Sequence, residues 1–203
     1  MGEDHVSHPG PQGNRPGPLT APAAWQYRQG MSIQDPEERR PAAAPARDAL
    51  GRGWILADPE ATESAGATLG ALVQGPLVIA LHGELGAGKT GLTQGIAAAL
   101  GVEGEVVSPT FALMIEHAAP LPLLHIDAWR LSPAEARAIG LDEAIEGWPG
   151  LVVVEWARKI PGLLPDSLLH IELFVEGDHR RMVAWAEGAE PVALLARLEA
   201  ALG

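Results

Sequence analysis

The chain has 203 residues, no cysteine, and 26 acidic against 14 basic residues, for a net charge of −12 at pH 7. Without cysteine there is no disulfide, thiol nucleophile or iron–sulfur cluster, and the acidic balance opposes direct retention of nucleic acid, whose phosphates need clustered Lys and Arg. No apolar run approaches the roughly 18 residues of a membrane helix, so a cytoplasmic enzyme or switch is the expected class.

Residues 1–52 hold 8 of the 18 prolines and 6 basic against 6 acidic residues. They show no helical or strand period, so they are expected to be a disordered Pro/Ala/Gly-rich tail that cannot bury enough surface to offset ordering. Its prolines interrupt every stretch where a secretory leader would sit. Residues 53–203 carry the whole negative excess, 8 basic against 20 acidic, and are long enough for one core that buries about two-thirds of the unfolded surface.

In chain order, Trp54-Ile55-Leu56 reads as a short strand. Asp58-Pro59 reads as N-cap and first residue of a helix reaching about Val73. The apolar run Leu77-Val78-Ile79-Ala80-Leu81 then leads into Gly83-Glu84-Leu85-Gly86-Ala87-Gly88-Lys89-Thr90, with a helix to Gly101 behind it. Strand candidates follow at Val106-Val107, Phe111 to Glu116 and Leu123 to Ile126. Ser132-Pro133-Ala134-Glu135 is a capping box that starts a helical stretch, which Gly140 interrupts before it resumes toward Trp148. Leu151-Val152-Val153-Val154 reads as a strand buried on both faces. Leu168 to Val175 and Arg181 to Trp185 flank Gly177-Asp178 as a hairpin, and Pro191 to Leu202 closes as a helix with Leu194, Leu195, Leu198 and Leu202 on one side. The expected fold is α/β, a P-loop NTPase-type three-layer arrangement with a mixed central sheet flanked by helices, parallel near the P-loop and antiparallel toward the C-terminus.

The octet Gly83 to Thr90, between a strand and a helix, is the pattern that binds nucleotide phosphates. Its glycines let successive backbone N–H groups turn inward around phosphate oxygens, and the helix behind adds its positive end. Lys89, expected on a solvent-facing loop, would reach the β and γ phosphates, and the Thr90 hydroxyl would meet Mg²⁺. An acid at the end of a neighbouring strand completes such a site. Two qualify: Asp127 after Leu123–Ile126, and Glu155 after Leu151–Val154. Between P-loop and Asp127, Val107-Ser108-Pro109-Thr110-Phe111 reads either as a loop that senses the γ-phosphate or as a proline-fixed turn.

Together, Gly83 to Thr90, Ser108-Pro109-Thr110-Phe111, His125-Ile126-Asp127-Ala128-Trp129-Arg130 and Glu155-Trp156, with Gly162-Leu163-Leu164-Pro165 behind them, resemble the bacterial TsaE (YjeE) ATPases over about Leu56 to Val175. The resemblance implies a small ATPase acting with the TsaB and TsaD proteins, which transfer a threonylcarbamoyl group to the adenosine beside the anticodon of tRNA. In that family ATP binding and hydrolysis reset the partner complex; the acidity of residues 53–203 points to tRNA being held by the partners rather than by this chain. Carried onto this chain, Leu85, Gly86, Ala87, Gly88, Lys89 and Thr90 cradle the phosphates of ATP. Thr90 and Glu155 contact Mg²⁺, Asp127 is a further acid at metal or water, and Lys89, Asp127 and Glu155 carry catalysis. Ser108 to Phe111 become the switch loop, Trp156 lies beside the nucleotide or partner unless it is a core aromatic, and Asp58 to Thr62 belong to the entry helix that touches adenine. The chain departs from the family pattern at Glu84 (commonly Asp), at Gly91 (commonly a second Thr) and at Ala128-Trp129 (usually Leu-Tyr).

Two other readings share the P-loop. A small-molecule kinase could recruit Arg130 and Arg137 to its phosphates, but leaves Glu155-Trp156 without a role. A nucleotide-dependent binding module would hydrolyse ATP only incidentally. A GTPase needs an Asn-Lys-x-Asp base reader, and the only Asn is Asn14 in the tail.

Overall fold

The computed structural model describes residues 53–203; the expected tail and its boundary lie outside the described residues. Seven strands, β1 (Gly53–Leu56), β2 (Leu77–His82), β3 (Met114–His117), β4 (Leu123–Asp127), β5 (Leu151–Glu155), β6 (Leu168–Glu176) and β7 (His179–Glu187), form one sheet in the order β1-β7-β6-β2-β5-β4-β3. The four central strands β6, β2, β5 and β4 run parallel. Antiparallel pairs close both sides: β7 and β1 beyond β6, and β3 beyond β4.

Among the described residues five α-helices cover the sheet, α1 (Pro59–Leu72), α2 (Lys89–Leu100), α3 (Pro133–Ala138), α4 (Leu141–Gly147) and α5 (Ala189–Leu202), and a 3-10 turn, Ala157–Lys159, follows β5. Alternation along the strands sends Ile79, Leu81, Leu123, Val153 and Ile171 to one face, where they pack on Leu69, Leu92, Ile96, Leu194 and Leu198 from α1, α2 and α5. Val78, Ala80, Leu124, Ile126, Val152 and Val154 point the other way, onto Ala136, Leu141 and Ile145 of α3 and α4. The two cores are the three-layer architecture expected from the sequence.

Local chemistry explains the element ends. Asp58 accepts the Ala61 N–H at 2.7 Å and Pro59 opens α1. The capping box at α3 is formed in both directions, and Gly140 in the left-handed region separates α3 from α4. Helices α1 and α2 meet backbone to backbone. A Cβ on Gly66 would land on the Leu92 carbonyl, and one on Gly95 on the Glu63 carbonyl, so only glycine permits this approach. It seats α2, and with it the P-loop, against the sheet. Gly91 sits inside α2 without breaking it.

Two strand expectations fail. Val106-Val107 is not a strand: it pairs with no strand of the sheet, whose edge β3 pairs only with β4, and the Val106 carbonyl takes its hydrogen bond from the Gln94 side chain at 2.8 Å instead. The strand expected from Phe111 begins only at Met114, because Leu113 turns left-handed at φ 67° and donates back to the Pro109 carbonyl at 2.7 Å.

Candidate nucleotide-binding site

The P-loop leaves the carboxyl end of β2, the edge of a parallel sheet where ligands bind. Gly86 and Gly88 have φ of 77° and 104°, and a Cβ on Gly86 would meet no atom within 4 Å. The loop is open to space at Gly86, and the left-handed conformations at Gly86 and Gly88 are the kind that let successive N–H groups turn toward an anion.

Lys89 departs from the expected solvent-facing loop. It is the first residue of α2 and only 4% exposed, because its ammonium folds back to donate to the Gly83 and Glu84 carbonyls at 3.0 and 2.9 Å. It also lies 3.8 Å from the centre of the Trp156 ring. Burial pushes its pKa below the ordinary lysine value, and the negative charges of Glu155, Asp127 and Glu84 oppose that shift. A cation held on weak carbonyl acceptors is ready to exchange them for phosphate oxygens, which are stronger partners.

Glu155 ends β5 and is buried. Its Oε1 accepts the Thr90 hydroxyl at 3.0 Å and lies 2.9 Å from His125 Nε2. The structure thus brings Thr90 and Glu155 together at the start of α2. Asp127, one strand over and in register with Glu155, faces different partners. Its Oδ2 accepts both Ser108 Oγ at 2.7 Å and Thr110 Oγ1 at 2.8 Å, and its Oδ1 accepts the Trp129 N–H at 2.8 Å. The structure so ties the Ser108–Phe111 loop to Asp127.

Trp156 follows Glu155 in the left-handed region, φ 60°. That conformation costs a bulky residue energy and is typical of sites where geometry matters more than comfort. It swings the indole off the strand direction and over Lys89, with Trp129 packed against it at 4.3 Å. Asp58 to Thr62 are also near the loop: the Thr62 side chain stands 3.3 Å from where a Gly88 Cβ would be.

Three features escaped the reading of the sequence. His125 bonds Glu155, and its spacing was a usable signal, since positions 123, 125 and 127 of a strand share a face. Arg180, on β7, donates to the Gly86 carbonyl at 3.3 Å. Arg158 grips the buried Glu172 with two hydrogen bonds of 2.9 and 2.8 Å, on the wall of a cavity of about 430 Å³ that Gly83, Glu84 and Trp156 also line. Neither arginine had a local signal, because each contact depends on the placement of β6 and β7. Arg130 stacks over the exposed Phe111 ring at 4.7 Å.

The profile of the family described as "Threonylcarbamoyl adenosine biosynthesis protein TsaE" matches residues 56–183. A Nostoc protein named tRNA threonylcarbamoyladenosine biosynthesis protein TsaE is 43% identical over 128 residues, 61% of this chain and 78% of the relative. A Bacillus subtilis protein of the same name is 38% identical over 133 residues, 65% of this chain and 83% of the relative. The crystal structure of Bacillus subtilis YdiB superposes with a TM-score of 0.65 at 32% identity, covering 75% of this chain and 96% of that one. With the P-loop fold, this match places the chain in a family: it belongs to the TsaE family.

Proposed function

We propose that the chain binds ATP with Mg²⁺, hydrolyses it slowly on its own, and serves the TsaB–TsaD complex in threonylcarbamoyl modification of the adenosine beside the anticodon of tRNA. The observation that carries the reading is the 3.0 Å hydrogen bond between Thr90 and Glu155 at the start of α2. It joins one hydroxyl to one carboxylate beside an open cradle, and Mg²⁺ bound to nucleotide needs few protein oxygens because water and phosphate supply the others. When bound, Mg²⁺ neutralises charge that develops on the β and γ phosphate oxygens.

Within this reading, the N–H groups of Leu85, Gly86, Ala87, Gly88, Lys89 and Thr90 orient the phosphates. Lys89 gives up the two carbonyls for the β and γ oxygens, and Trp156 shields its charge from water. Glu155 and Thr90 hold the cation. Asp127 acts as a further acid through the loop, holding Ser108 and Thr110 beside the site. Leu85 and Phe111 are 81% and 87% exposed, and with half-exposed Trp129 they form apolar surface around the mouth that fits a protein partner. Until a partner covers it, the site stays open to water and incompletely preorganised, which makes hydrolysis slow. The names of the relatives support the pathway, and the acidity of residues 53–203 supports tRNA contact through partners.

The test is reconstituted tRNA modification by TsaB–TsaD with wild type, with Glu155→Gln, or without the chain. Repeated turnover is expected only with wild type; equal turnover without the chain overturns the reading. A small-molecule kinase is the second reading, favoured by the cavity beside Gly83 and Glu84. It would show as ATP consumption that depends on an added acceptor and releases no inorganic phosphate.

A further inference from the structure

We infer that His125 is a positioning residue for Glu155, fixing through its Nε2–H which carboxylate oxygen is left for the cation; this rests on the Mg²⁺-nucleotide reading above. His125 sits in the middle of β4, fully buried, paired with Val153 and on the face that packs against α2. An imidazole in such a place costs stability unless it is hydrogen-bonded. Its partner could have been any carbonyl, and it is the acid of the site.

The chemistry fixes the direction of the bond. An ionised carboxylate only accepts, so the hydrogen must lie on Nε2. Nδ1 is buried without a partner, which an unprotonated ring nitrogen tolerates better than an N–H would. Glu155 Oε1 thus receives two donors from two elements, Thr90 from α2 at 3.0 Å and His125 from β4 at 2.9 Å, whereas Oε2 has only the longer Thr90 contact at 3.3 Å. One hydroxyl hydrogen cannot hold a carboxylate against rotation about its last bond. Two donors converging on Oε1 do, and Oε2 is then the oxygen left to face a cation. Groups that orient a ligating carboxylate typically change metal affinity 10- to 100-fold when removed.

Two variants separate positioning from packing. His125→Leu fits the apolar surroundings and removes the donor. His125→Gln carries an N–H near the Nε2 position. Calorimetry of the full chain with a non-hydrolysable ATP analogue, in Mg²⁺ and in EDTA, gives the gain in affinity due to the cation. In His125→Leu that gain falls at least about tenfold, with the EDTA affinity unchanged; in His125→Gln it stays within about threefold of wild type. A folded His125→Leu that keeps the full gain, or a folded His125→Gln that loses as much as leucine, overturns the inference. A wild type that gains nothing from Mg²⁺ overturns the nucleotide reading itself, a different result. Should the leucine variant not fold, ¹⁵N spectra of the wild-type imidazole decide: the Nε2–H tautomer, with a shift on adding Mg²⁺ to the nucleotide complex, is expected, and an Nδ1–H tautomer overturns it.

Discussion

The ends of β4 and β5 lie side by side and carry one acid each, yet the two acids look in different directions. Glu155 faces the P-loop helix, bonded to Thr90 and His125 from two rigid elements. Asp127 faces the loop before β3, taking both Ser108 and Thr110 on one oxygen, and that loop carries a left-handed Leu113 and an almost fully exposed Phe111. On the proposed reading, neighbouring strand ends in a parallel sheet divide the work: one organises what is bound, the other organises the segment that responds to it.

The largest effect expected on the binding side is that of Lys89→Ala. Removing the cation costs nucleotide affinity at least about a hundredfold, in keeping with a charge-assisted contact to phosphate. Because Lys89 is buried against Trp156, the same variant also shifts the melting temperature, which calorimetry and thermal unfolding read separately. An unchanged affinity removes the P-loop assignment.

Next, the two acids are set against each other. Glu155→Gln is expected to lower single-turnover hydrolysis about a hundredfold and to weaken the dependence of binding on Mg²⁺. Asp127→Asn lowers hydrolysis about tenfold while nucleotide affinity stays within about threefold, because its partners belong to the loop. If the two variants behave alike, the division of work is wrong. A finer version is Ser108→Ala with Thr110→Ala: it leaves Asp127 in place, and reproduces the Asp127→Asn profile only if the acid acts by holding the loop.

How much of this was legible depended on range. The P-loop, β2, α2 and β5 rest on local patterns, glycines at fixed spacing and apolar runs of strand length, and they stand where the sequence puts them. Val106-Val107 had the residues of a strand but not the neighbour, and a strand is a property of two segments. The depth of Lys89 was hidden because it depends on contacts that spacing does not show: its ammonium folds back on the Gly83 and Glu84 carbonyls and lies against the indole of Trp156, at the end of a different strand. His125 was readable by its spacing to Asp127; the contacts of Arg158 and Arg180 were not, since the first needs Glu172 of β6 and the second needs β7 brought beside the P-loop.

The smallest effect concerns the stacked histidines of β2 and β6. His82 and His170 stack with Trp185, and burial, then the positive charge of Arg158, holds their pKa values down at about 3 and about 4. Unfolded imidazoles titrate near 6.5. Between that pH and about 3, the value for His82, the unfolded chain therefore binds protons that the folded chain refuses, and stability falls as pH drops through this window, with no contribution above it. The melting temperature is expected to be lower at pH 5 than at pH 7.5, with a shallower fall in His170→Gln. A fall of equal size in the variant assigns the acid sensitivity to other groups.

The measurement closest to the central claim is the steady-state ATPase rate of the full chain, alone and with TsaB–TsaD, for wild type and Glu155→Gln. A slow rate that the partner pair raises at least about tenfold in wild type, and not in Glu155→Gln, is the expected result for a site completed in trans. A rate that the partners leave unchanged contradicts the account.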